Sequence, residues 1–140
     1  MAENHRRDYC PTDSRDFGPA ETARLQEALL DVAYLAQRGY HLSAILTLVG
    51  DRYQFSSRQR MALARACATR EEQKLRATKE WQGSLTGSTL AIDGFNLIIL
   101  LEAALSGSVI LRGMDGVFRD LGGVYGTYRL IDKTDRALEL

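Results

Sequence analysis

The sequence predicts an α+β protein in two parts, a helical unit followed by a partial α/β unit built on a parallel sheet. Three observations carry that prediction. Apolar residues recur at helical spacing through the first 80 residues or so, the stretch "QGSLTGS" at 82–88 interrupts them, and short apolar runs then alternate with a longer one. With 140 residues the chain can form one modest domain or two small units sharing a core. The boundaries follow as a polar arm at 1–18, a helical domain at 19–81, a linker at 82–88 and a partial α/β domain at 89–140.

The elements can be justified in order. The arm is polar and pattern-free, so it is expected to be extended or loosely attached. Pro19 opens the first helix, since a proline at the first helical position loses no hydrogen bond. Leu25, Ala28, Leu29, Val32 and Ala36 share one face, and Gly39 suits a left-handed stop. A short second helix fits Leu42–Val49, ended by Gly50. In "QFSSRQRMALARA", Ser56 and Gln59 form a capping box that starts a third, long helix, reaching to about residue 80. At about 100° per residue, Met61, Ala64, Cys67, Ala68 and Leu75 lie on one side and Arg58, Arg65, Glu72 and Arg76 on the other.

After the linker, Ser88–Ile92 suits a strand, Asn96–Leu105 a buried helix ended by Gly107, and Ser108–Leu111 a second strand. That order opens a βαβ unit, whose strands must be parallel. Tyr128–Ile131 is a possible third strand, and "DKTDRALEL" reads as a helix start capped by Asp132 or Thr134. Fewer than 60 residues follow the linker, and so small a parallel sheet buries too little to stand alone. The expectation is therefore a sheet completed by a C-terminal continuation, by the helical unit or by a second copy in a homo-oligomer.

Charge is balanced overall, with 18 Lys+Arg against 18 Asp+Glu, but it is unevenly placed. Eight basic residues face two acids between Arg52 and Lys79, and seven acids face five bases from Asp93 onward. The basic stretch is a candidate RNA surface, with Arg52, Arg58, Arg65, Arg76 and, from the second half, Arg119 as contacts; a solvated helix face gives the same pattern. Cys10 and Cys67 form no zinc or disulfide pattern. No apolar run approaches the roughly 20 residues of a membrane helix and no signal peptide opens the chain, so a cytoplasmic location without membrane association is expected. Motifs for phosphate-cradling glycine loops and for serine or cysteine nucleophiles are lacking.

The chemistry concentrates in "DGFN" and "MDGVFRD". Sites on open parallel sheets form at the carboxyl ends of strands, which is where Asp93 falls, beside the start of the next helix. Asp115 and Asp120 occupy the loop after the next strand. Carboxylates brought together there would need a cation between them, Mg2+ or Mn2+ for phosphoryl chemistry, with Asn96 in support. Capped turns at Asp93 and Asp115, and an ion pair between Asp120 and Arg119, are the structural alternatives. Glu102, about two turns along the helix, is assigned to its wet face.

Two blocks carry a resemblance. "RGYHLSAILTLVGDRYQFSSRQRMALARA", residues 38–66, resembles the family called domain of unknown function 434. "IDGFNLIILLEAALSG" and "RGMDGVFRDLGGVYGTYR" resemble the opening of a PIN/NYN-like nuclease domain. The second resemblance implies a Rossmann-like sheet and acidic residues that hold a divalent metal for RNA phosphodiester hydrolysis. Asp93 matches the aspartate ending that fold's first strand and Asn96 the polar residue after it, while Asp115 and Asp120 fall in the second motif. Similar proteins continue with further strands and acidic residues. A non-catalytic RNA-binding or oligomerising module that keeps the fold is the alternative reading.

Overall fold

A computed structural model describes residues 5–123 and 128–140. It shows an α+β protein, mostly helical, with one small sheet. The elements are α1 (Asp13–Asp16), α2 (Pro19–Gln37), α3 (Leu42–Tyr53), α4 (Ser57–Ala66), α5 (Arg70–Lys79), α6 (Gly94–Leu105), β1 (Ile110–Arg112), β2 (Phe118–Asp120) and α7 (Thr134–Glu139).

The helical unit is built around one apolar cluster. Leu25, Ala28 and Val32 of α2 meet Ile45 and Val49 of α3, Leu63 of α4 and Phe55 between them. Pro19 stands at the first position of α2, and Gly39, with φ +85°, turns the chain out of it. Helix α3 runs through Gly50, its expected stop, to Tyr53, and Gln54 at φ 57° ends it. Gly50 is instead a packing site: a Cβ there would lie 2.6 Å from Cζ of Arg60, whose Nε donates to the Phe55 carbonyl at 3.0 Å.

The capping box of Ser56 and Gln59 starts α4 as the sequence indicates. The single long helix does not follow. Cys67 is extended (ψ 134°), and Thr69 with Glu72 forms a second capping box that begins α5. Face assignments carried across that break fail. Met61 and Leu75 are exposed, no residue of α5 is buried, and the buried face of α4 is Gln59, Ala62, Leu63 and Ala66. Thr69→Ala should cost about 1 kcal/mol, measurable in urea as loss of the helix signal from α5 ahead of the core.

The second half departs further from expectation. Residues 88–92 and 128–131 take no regular secondary structure and join no sheet among the described residues. The sheet is two-stranded and antiparallel, with Ile110 opposite Asp120, Leu111 opposite Arg119 and Arg112 opposite Phe118. Local turn chemistry explains the correction. Gly116 adopts φ +79° and donates to Gly113 O at 2.9 Å, while Asp115 Oδ1 accepts from Val117 N at 3.2 Å. An Asp-Gly turn of this kind returns the chain at once and makes a hairpin of what would otherwise be a crossover. The hairpin rests on the helical unit, where Met114 N donates to Ala66 O at 2.8 Å.

The arm is docked, not loose. Asp13 and Asp16 are buried; Arg58 Nη2 donates to Asp13 at 2.9 Å, and Ser56 Oγ and Gln59 Nε2 bind Asp16 at 2.8 Å each. Its earlier residues cross to the second half, where Arg7 N donates to Ser106 Oγ at 2.9 Å and Arg6 Nε to Ser106 O at 2.7 Å. Among the described residues, no helix is long and apolar enough to cross a membrane.

Candidate functional site

Asp93 stands at the N-cap of α6 and is exposed. Its carboxylate caps no backbone N–H; it accepts from Asn96 Nδ2 at 2.6 Å. The side chain is therefore held beside the positive end of a helix dipole, facing water. No lysine or arginine pairs with it among the described residues.

Asp115 has a different environment. Only 7% of its side chain is exposed, and Arg119 grips both its oxygens at 2.8 and 2.7 Å. Arg76 Nε lies 3.8 Å away. Hydrogen bonding from Arg119, reinforced by the Val117 N–H, holds the Asp115 carboxyl down at about 2. The alternative of an ion pair with Arg119 thus falls to Asp115 instead of Asp120.

Asp120 ends β2 and accepts from Gly122 N at 3.0 Å. It faces Asp8 of the arm, whose Oδ2 is buried without a donor. Two carboxylates so placed can bond only if one keeps its proton. Burial first, then the hydrogen bond and charge of Asp120, push Asp8 up to about 6, against smaller opposing effects of Arg7 and Arg58. Gly122 makes the approach feasible, because a Cβ there would collide with the Asp8 carboxylate.

The three aspartates expected to share an ion thus have three separate sets of partners. Among the described residues, no group of three or more His, Cys, Asp or Glu side chains is placed to hold a metal. One exposed carboxylate with a neighbouring amide suits a weakly held magnesium or manganese that keeps most of its waters. Asp93 and Asn96 fit that description, whereas Asp115 is already neutralised.

The arginines divide similarly. Arg58 is bound to Asp13 and to the Asp8 carbonyl at 2.7 Å. Arg65 donates to the carbonyls of Asp120 and Gly122 at 2.6 and 2.7 Å. Arg119 holds Asp115. Arg52 lies over the Tyr53 ring, 5.7 Å from its centroid, and Arg76 keeps 55% of its side chain exposed. Arg58 and Arg65 serve the internal structure; Arg119 holds Asp115 yet keeps 30% of its side chain exposed, and Arg52 and the outer edge of Arg76 remain open to a ligand.

Glu102, assigned to a wet face, is completely buried. Arg7 Nε donates to it at 2.8 Å, and Tyr128 and Thr134 hydroxyls at 2.5 Å each. Arg7 also lies over the Tyr128 ring at 5.0 Å. The one signal in the sequence was a lone carboxylate inside "LIILLEAAL", an apolar setting that demands partners once buried.

Comparison with known proteins adds family information to this geometry. Residues 24–79 match the family described as Protein of unknown function (DUF434). That match supports the resemblance of the helical unit. Residues 82–140 match a family described as Domain of unknown function (DUF5616), a description that supplies no nuclease assignment. An uncharacterized protein of Methanocaldococcus jannaschii is 34% identical over 119 residues, covering 83% of this chain and 56% of the relative. The chain therefore spans about half the length of the curated relative it matches. No solved structure matches the chain.

Proposed function

We propose that this chain is an RNA-associated module carrying part of a divalent-metal site for phosphodiester hydrolysis, its second half being the front of a PIN-like α/β unit. The observation that carries the reading is Asp93: of the three candidate aspartates, it alone is exposed and uncompensated by a cation, poised with Asn96 at the start of α6. The apolar segment before it, with Leu90 and Ile92 59% and 64% exposed, supports a strand that forms only against a further segment or a second copy. Bound Mg2+ or Mn2+ would polarise a phosphodiester and supply a nucleophilic water. Asp93 would hold the ion, and Asn96 would orient the carboxylate through its amide.

Manganese titration monitored by electron paramagnetic resonance tests this. Asp93→Asn keeps the shape of the side chain and removes its charge. Manganese affinity should fall at least about tenfold, equal to about 1.4 kcal/mol, while the circular dichroism spectrum is retained. Equal affinities, or no binding to either protein, would remove the metal reading.

A non-catalytic RNA-binding or oligomerising module is favoured by a separate observation. Apolar side chains at Trp81, Leu85, Leu90, Ile92 and Phe95 are all more than half exposed, and apolar surface of that extent is normally covered in an assembly. Concentration-dependent dimerisation by analytical ultracentrifugation, with RNA affinity unchanged in Asp93→Asn, is the result that reading expects.

A further inference from the structure

Positive charge collects around α5. Between this helix and the β1–β2 hairpin lies a cleft of about 280 Å³, whose walls include Cys67, Leu75, Arg76, Lys79, Asp115 and Arg119. Asp115 forms its buried anchor and fixes the guanidinium of Arg119, with Arg76 alongside. One carboxylate thus stands against two guanidinium groups. Lys79 adds a third cation and makes no ion pair or hydrogen bond among the described residues. Glu72, also in the wall, turns back to the Thr69 backbone N at 2.7 Å as part of the capping box. Burial pushes the Cys67 thiol up, so it stays neutral. Positive charge therefore exceeds negative within the cleft, and Arg76 and Arg119 keep 55% and 30% of their side chains open.

An aromatic surface follows these cations closely along the chain. Trp81 follows α5 by two residues, within about 7 Å of Lys79 along the chain, and is 66% exposed. Gly83 lies beneath its ring: a Cβ there would come 3.2 Å from Cζ2. The indole is thus backed by main chain on one side and open to solvent elsewhere. Cations that take phosphates beside an exposed aromatic that takes bases are the arrangement suited to single strands, because a duplex offers no free base face.

We propose that this cleft seats a backbone phosphate of single-stranded RNA through Arg76, Lys79 and Arg119, with a neighbouring base stacked on Trp81. The inference rests on the RNA association proposed above and places the contact away from Arg58 and Arg65, which are engaged internally.

Binding of a fluorescein-labelled oligouridylate, followed by anisotropy in EDTA, tests the cleft without metal, so its failure leaves the Asp93 reading standing and the reverse. Arg119 is kept intact because its loss would strand Asp115. Arg76→Gln and Lys79→Gln should each lower the slope of log affinity against log salt by about 0.7. Trp81→Ala should weaken binding about tenfold with the slope unchanged. Lys74→Gln, on the same helix but outside the cleft, should leave the slope unchanged. Absence of oligouridylate binding to the wild type, or equal slopes for Lys74→Gln and Lys79→Gln, would overturn the proposal. So would competition by inorganic phosphate as effective, per phosphate, as unlabelled RNA, which would make the cleft a free-anion site.

Discussion

Replacing Glu102 by alanine should lower the unfolding free energy by about 3–5 kcal/mol, seen as a lower urea midpoint at unchanged slope. The size follows from what is left behind. Arg7 is only 12% exposed, and without the carboxylate its charge is buried beside the hydroxyls of Tyr128 and Thr134 with no acceptor from α6. Glu102→Gln keeps the volume but offers an amide donor to three donors, so it should fall between the two. An Arg7→Ala, Glu102→Ala double variant should be less damaging than the sum of its parts by more than about 1 kcal/mol, because each single change strands the other member of the pair. Additive losses would mean that the pair does not act as a unit.

Asp8→Asn should stabilise the protein at neutral pH. The folded carboxyl titrates near 6, above its ordinary 3.8, because burial and Asp120 favour the protonated form. The contribution of this group is thus complete below about pH 3.8 and is lost as pH rises through 6. At pH 7 the wild type must keep an ionised Asp8 against Asp120 or bind a proton to avoid it. Asparagine needs no proton and can donate its amide to Asp120. It also tolerates the left-handed backbone at φ 58° better than most side chains. With water screening at the accessible edge, a gain of about 1–2 kcal/mol at pH 7 is expected, shrinking towards zero below pH 4. Thermal melts across that range check the sign; a gain independent of pH would assign the effect to the backbone alone.

Features fixed within a few residues were legible in the sequence. The Ser56–Gln59 capping box and the stops at Gly39 and Gly107 depend on local geometry, and the structure has them. Thr69 and Glu72 carry the same signature, yet the apolar pattern from Met61 to Leu75 masks the break they impose. The Asp115-Gly116 turn could have been read as a hairpin, but strand direction is settled only when both strands are seen to meet. Glu102 shows the harder limit. Helical spacing cannot tell a wet carboxylate from a buried one when its cation lies 95 residues earlier. Asp93 is exposed and beside Asn96, whereas the partners of Asp115 and Asp120 come from Arg119, Arg76 and the arm.

The docked arm also reverses the usual order of synthesis and assembly. Arg7 reaches the ribosome exit early, but two of its acceptors are Glu102 and the Arg129 carbonyl, 95 and 122 residues later. At about 5–20 residues per second, the arm waits roughly 5–25 s for them. Meanwhile Asp13 and Asp16 can already engage Ser56, Arg58 and Gln59, tethering the arm at its far end. That early tether shortens the search for the last contact, since the remaining loop closes from a fixed point and not from a free chain end. The first residues translated would then be among the last to find their places, completing the join between the two halves only after the second half has emerged.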